Sequence, residues 1–215
     1  MRQSFHLLFL LIIAICTFSF MKVSGDNLPL IGKVIYLDAG HGGVDSGATY
    51  KDIYEKDINL SIVKILASKL ENLGATVYLT RYGDYDLSNV GVYYRKKSDL
   101  YNRAKIINES SADVYISIHL NATTSSTWFG AQVFYDDINK ENIKLAEIIT
   151  KSIGAKREIK EIKEMYFNKM VTIPGILLEV GFISNTNDRN KLIKEKYQSE
   201  VTDKIVEGLL AYFTT

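Results

Sequence analysis

Beyond residue 25 the sequence holds two histidines, and each follows an apolar, β-branched run: His41 in Leu37-Asp38-Ala39-Gly40-His41-Gly42-Gly43, and His119 in Tyr115-Ile116-Ser117-Ile118-His119-Leu120-Asn121. A third such run, Ile176-Leu177-Leu178, ends on Glu179. Groups just past the carboxyl ends of parallel strands share one rim, where sites form in open α/β sheets. Neutral imidazole is the commonest metal ligand, and catalytic zinc usually takes three protein ligands and keeps one open position. His41 and His119 supply two. A carboxylate must supply the third, because the only cysteine, Cys16, lies in the first 25 residues. Glu55 qualifies, standing between the glycine-rich turn after His41 and a helix that begins around Asp57, whose N-terminus favours the ionised form. The expected ligand set is therefore His41, Glu55 and His119 around Zn2+, dispersed along the chain rather than packed into an HExxH helix. Taken singly these residues also have ordinary roles, as a cleft histidine, a first-turn acid or a turn of glycines. Glu179 is harder to assign to packing, since an ionised group beside buried strands is costly without a partner.

Such a constellation needs strands to end together and helices to pack behind them. The pattern from Lys33 onward alternates short β-branched runs with longer helical stretches, the mark of an α/β domain around a mostly parallel sheet. Strands are expected at Val34 to Leu37, Thr76 to Thr80, Val114 to Ile118, Ala131 to Tyr135 and Ile176 to Glu179. Leu60, Val63, Ala67 and Leu70 recur at helical spacing, and Gly74 closes that helix. A second helix is expected from an N-cap at Ser98 to about Ser110, a third from Asn139 to about Ser152, and a single last helix from Asn187 to Phe213. The segment from Tyr82 to Lys97 fits neither period and reads as a long surface loop bordering a cleft.

Composition narrows the classes. With 215 residues and 47% hydrophobic content, one sizeable core and one domain are expected. The 26 basic and 25 acidic residues nearly cancel, which gives no field to favour nucleic acid or an anionic membrane. Residues 1–25 stand apart: Arg2, an apolar run from Leu7 to Met21, then Lys22, Val23, Ser24 and Gly25. A positive start, roughly 15 apolar residues and a small-residue exit read as a signal peptide, or as an N-terminal membrane anchor if uncleaved. Ile15 before Cys16 argues against a lipoprotein signal. Without cysteine in the mature chain, histidines and carboxylates must carry any chemistry.

The wording of these segments resembles the catalytic domain of zinc-dependent N-acetylmuramoyl-L-alanine amidases, the amidase type 3 family. The likeness runs over 33–213 and includes Leu37 to Gly43 with Asp45-x-Gly47, Glu55-Lys56-Asp57-x-Asn59-Leu60, Leu79-Thr80-Arg81, Leu100 with Arg103 and Asn108, Ser117-Ile118-His119 with Asn121, and Leu178-Glu179-Val180-Gly181-Phe182-x-Ser184-Asn185. The resemblance implies a single α/β domain of the phosphorylase/hydrolase-like kind, with about six strands and helices on both faces. It implies zinc on His41, Glu55 and His119, and Glu179 as the catalytic glutamate. Two departures stand out: Leu120 replaces the small residue usual after the second histidine, which is expected to alter packing, and Lys160 to Thr172 is charged rather than leucine-rich.

The activity implied is hydrolysis of the amide between N-acetylmuramic acid and L-alanine in peptidoglycan. Glu179 would take a water proton and return it to the leaving amine. The short, stand-alone form resembles the germination-specific members that act on spore cortex and prepare muramic-δ-lactam in spore-forming bacteria. The partners implied are the glycan strand, its stem peptide and an accessory protein for targeting or activation, with membrane contact only through the N-terminal segment. The expected location is the cell envelope. Two competing readings are a zinc peptidase acting on stem peptides and a non-catalytic, zinc-containing peptidoglycan-binding or regulatory protein.

Overall fold

The computed structural model describes residues 28–163 and 167–215. The expected leader, residues 1–25, lies outside the described residues. No described helix is long and apolar enough to cross a membrane.

Among the described residues, eight strands and five α-helices follow one another. They are β1 (Val34–Ala39), β2 (Thr49–Tyr50), β3 (Ile53–Tyr54), α1 (Glu55–Asn72), β4 (Thr76–Leu79), α2 (Arg95–Asn108), β5 (Val114–Asn121), β6 (Gln132–Tyr135), α3 (Glu141–Ile153), β7 (Lys160–Glu161), β8 (Gly175–Phe182), α4 (Thr186–Leu192) and α5 (Glu195–Thr214). Six strands form one sheet in the order β4-β1-β5-β8-β6-β7, and β2 and β3 form a small hairpin. Within the larger sheet β1 pairs parallel to β4 and β5, β5 parallel to β8, and β6 parallel to β7, whereas β6 runs antiparallel to β8. The expected six-stranded, mostly parallel sheet is the one observed.

Strand alternation divides the core in two. Ile35, Leu37, Ala39, Ile116, Ile118, Leu178 and Val180 bury against α1, α3 and α5. On the other face Tyr36 and Tyr115 pack with Ala104 and Ile107 of α2 and with Phe167 and Val171. Helices thus cover both faces. In α1, Ile58, Ile62, Val63, Leu66, Ala67 and Leu70 form the buried stripe of an amphipathic helix. Gly74, at φ 92°, ends it by donating to Glu71 O.

Three expectations change. The last helix is two, because the chain turns at Ile193 and Lys194. Asn185 caps α4 by accepting from Asn187 N and Asp188 N, and buried Gln198 reaches back to donate to Leu192 O, satisfying the carbonyl left open at the break. The second helix starts at Arg95, not after a Ser98 cap. Ser98 is already helical, and its hydroxyl accepts from Asn89 N, tying down the preceding loop, which ends at Tyr94. Finally, the charged stretch after α3 contributes the two-residue edge strand β7 beside β6. Such a short strand is set by one neighbour's backbone and leaves no period to read.

Gly175 lies opposite Tyr115 in the β5–β8 register, where a Cβ would overlap the buried phenol ring. Gly175→Ala is therefore expected to cost about 1–3 kcal/mol by overpacking. Thermal unfolding reads this out, and an unchanged melting temperature would contradict the contact.

Candidate active site

The carboxyl ends of β1, β5 and β8 form the rim of a cleft of about 340 Å³ that contains His41, Glu55, His119 and Glu179. β1 ends at Ala39, and Gly40 and His41 turn across the rim. A Cβ on Gly40 would collide with the His119 ring, so glycine there lets the two histidines approach, with ring centroids 5.0 Å apart. Gly47 does the same from the other side, since its Cβ would lie 2.6 Å from Glu55 Oε2 and 2.7 Å from the His41 ring. His41 itself is left-handed, at φ 63°, which is uncommon for a non-glycine residue and must be held by its surroundings.

Two buried arginines hold it. Arg103 donates to Ala39 O at 2.8 Å and His41 O at 2.6 Å, while pairing with Asp38 at 2.8 Å and Asp99 at 2.9 Å. Arg81 donates to Ala39 O, Gly40 O, Lys56 O and Gly83 O. Asp38 is closed off by Thr80 and Ser117 hydroxyls at 2.7 and 2.5 Å. Burial alone would raise the Asp38 carboxyl, but Arg103 and these hydroxyls outweigh it and hold the group below its usual range. The chain beyond Arg81 is fastened to the site as well: Asp84 accepts from Gly43 N and from Lys56 Nζ.

Glu55, the first residue of α1, sits at the centre. Its Oε1 lies 3.2 Å from His41 Nε2 and 3.1 Å from His119 Nδ1, and accepts from Leu120 N at 2.9 Å and Asn59 Nδ2 at 3.3 Å. Its Oε2 accepts from Ala48 N at 2.8 Å. The Leu120 amide is available because β8 carries one extra residue opposite it, a bulge between His119 and Asn121. The Leu120 side chain turns away into the apolar core. His41 Nδ1 donates to Asp45 Oδ2 at 2.9 Å, which aims Nε2 at the cluster. Burial would lower the His41 pKa, yet the Asp45 and Glu55 hydrogen bonds push it to about 9. Burial would raise Glu55, and the hydrogen bonds from His119 and His41 hold it well below the carboxylate range instead.

One ligand atom each from His41, Glu55 and His119 lies within 4.8 Å of the others, so these residues could hold a metal ion. Two imidazoles and a carboxylate suit a borderline divalent cation, and the carboxylates that stabilise positive charge on His41 would stabilise that cation too. Glu179 faces the same cleft, paired in register with His119. Its Oε2 is buried with no hydrogen-bond partner among the described residues. Burial, with Glu55 nearby, raises its carboxyl to about 7 against the opposing pull of His119 and His41. A carboxyl at that value near neutral pH can both accept and donate a proton.

The profile of the Amidase_3 family, N-acetylmuramoyl-L-alanine amidase, matches residues 35–211. The chain belongs to the N-acetylmuramoyl-L-alanine amidase family. It is 45% identical to the germination-specific N-acetylmuramoyl-L-alanine amidase of Bacillus subtilis, over 87% of this chain and 83% of that one. The CwlD amidase of Clostridioides difficile, solved in complex with the GerS lipoprotein, superposes with a TM-score of 0.81 at 36% identity, over 85% of this chain and 99% of that one. The catalytic domain of the CwlV amidase from Bacillus (Paenibacillus) polymyxa gives 0.73 at 30% identity, over 85% and 98%.

All four residues singled out in the sequence meet in the cleft. Those that hold them were named in the sequence only as motif residues, without a role: Asp45 behind His41, Asn59 one turn beyond Glu55, and the buried pair Arg81 and Arg103. The Asp45-x-Gly47 spacing and the i, i+4 relation of Glu55 to Asn59 were local signals for the first two. Nothing local marks an arginine as buried, because its partners come from other elements.

Arg103→Met leaves Asp38 and Asp99 without their cation and is expected to cost about 3–5 kcal/mol, measured as a lower urea midpoint. Because the folded Asp38 carboxyl is held low, its contribution is full above its unfolded value of about 3.9 and is lost as pH falls through the folded value. The stability gap between wild type and Asp38→Asn should accordingly narrow below about pH 4; a gap that widens toward acid would contradict the assignment.

Proposed function

We propose that this chain hydrolyses the amide between N-acetylmuramic acid and L-alanine in peptidoglycan, using zinc held by His41, Glu55 and His119, with Glu179 as the proton carrier. The observation that carries the reading is the pairing of opposite environments in one cleft. Glu55 is held ionised between two histidines, while Glu179 is raised to about 7 by burial. Two titratable groups pushed apart in this way mark an acid/base assignment.

Zinc bound there would supply a Lewis acid for the amide carbonyl and lower the pKa of a coordinated water to about 7. The chain's own residues do the rest. Asp45 and Asn59 fix the orientation of His41 and Glu55. Glu179, with Oε2 unpartnered among the described residues, accepts the proton of the attacking water and then delivers it to the nitrogen that leaves as the L-alanine amine. His119 stands beside Glu179 across the β5–β8 ladder, so the proton carrier lies next to one of the residues that would hold the zinc.

The substrate we assign is spore cortex. The germination-specific amidase at 45% identity supports this, as does the near-complete overlap with the CwlD amidase. The complex of that amidase with a lipoprotein supports an accessory lipoprotein as a partner here. Residues 1–25, read as a signal peptide or anchor, would deliver the domain across the membrane to the envelope.

Incubation of the purified protein with cortex peptidoglycan, with and without zinc, is expected to release stem peptides beginning with free L-alanine, identified by mass analysis. Glu179→Gln should keep its zinc and lose about 10²–10⁴-fold in kcat, whereas His119→Ala should lose zinc itself, measured by atomic spectroscopy. Release of peptides cut at another bond would favour a peptidase. Zinc binding without any release would favour the non-catalytic reading.

A further inference from the structure

Three basic residues, Arg95, Lys96 and Lys97, occupy the start of α2, and its first turn holds no acid. This opposes the helix macrodipole, whose N-terminus favours negative charge. Arg95 is accounted for, since Nε and Nη2 both donate to Asp86. Lys96 is placed differently. Its side chain is 67% exposed, yet it lines the catalytic cleft together with His41, Asp45 and Glu179. Its Nζ stands 3.4 Å from Asp45 Oδ2, a loose contact to a carboxylate already committed to His41 and to Gly47 N.

The other cations at or beside the cleft are spent. Arg103 is buried on Asp38, Asp99, Ala39 O and His41 O. Lys56 donates to Gly43 O and Asp84. Of the acidic lining, Asp38 and Asp99 are paired with Arg103 and Glu55 with the two histidines, which leaves Asp45 and Glu179. A peptide carboxylate entering between them would meet Lys96, whose ammonium has donors left beyond its loose contact with Asp45. The distance fits. Two extended residues span about 7 Å, and Lys96 is separated from the His41 ring by two contacts of 3.4 and 2.9 Å through Asp45.

We propose that Lys96 is a specificity-determining residue that binds a carboxylate on the peptide portion of the substrate, so that the cleft selects acidic stem peptides over neutral ones. The proposal rests on the amidase reading for the direction in which the peptide lies, but its test needs no turnover. Calorimetry on the full chain compares N-acetyl-L-alanyl-γ-D-glutamyl-L-alanine, which carries two carboxylates and no ammonium, with the same peptide amidated at each carboxyl. Wild type is expected to bind the acidic peptide about fivefold more tightly, the value of one partly exposed ion pair. Lys96→Met should bind both peptides equally with an unchanged melting temperature, and Lys96→Arg should restore the preference. On cortex fragments Lys96→Met should raise KM and leave kcat within about twofold, as loss of uniform binding does. Equal binding of the two peptides by wild type, including no detectable binding of either, overturns the proposal. So does a preference that survives Lys96→Met, which would put the carboxylate on the metal. Absence of peptide release by wild type with the binding preference intact would overturn the amidase reading and leave this one standing.

Discussion

The site depends on a buried charge cluster at the end of β1. Arg103, 1% exposed, lies between Asp38 and Asp99, and the same guanidinium donates to the carbonyls of Ala39 and His41. Removing these ions from water costs several kcal/mol each, so the cluster is not a source of stability in itself. What it does is fix where β1 stops being a strand. With Arg81 capping Ala39 O and Gly40 O, the carbonyls that would otherwise seek another strand are satisfied by side chains. The backbone is then free to turn through the left-handed His41.

From that point the geometry follows by close approach. Gly40 and Gly47 remove the two Cβ atoms that would keep His119, His41 and Glu55 apart. The extra residue in β8 turns the Leu120 amide onto Glu55, and the β2–β3 hairpin delivers Glu55 to the start of α1, where Ala48 N meets its second oxygen. A carboxylate with donors on both oxygens and two imidazoles beside it stays ionised. Glu179, on β8, is buried beside the negative charge of Glu55, and these outweigh the pull of His119 and His41, so its proton is held more tightly. Two carboxyl groups of one cleft thus acquire different chemistry, one from its hydrogen bonds and the other from burial without them.

The cleft also explains the odd segment before α2. Residues 80–94 have no regular structure, yet they are tied down through Asp84, Asp86 and Leu87 to Lys56, Arg95, Asp99 and Asn102. Asp99 serves both ends of this arrangement, pairing with Arg103 inside and accepting from Leu87 N outside. The loop that borders the cleft and the turn that carries His41 therefore share one anchor.

Periodicity and residue type by themselves determined the α/β class, the central strands, the helix that ends at Gly74 and the four side chains that meet in the cleft. These are local properties, or consequences of the rule that strand ends share a rim. Tertiary structure decided what has no local signature. It split the last helix at Ile193 and Lys194, where a buried glutamine reaches back to Leu192 O. It started α2 at Arg95, before the better capping residue Ser98, and added the edge strand β7 out of a charged stretch. Above all it buried Arg81 and Arg103, residues that composition would leave on the surface. Only the folded chain brings carbonyls and carboxylates from distant segments close enough to repay their desolvation.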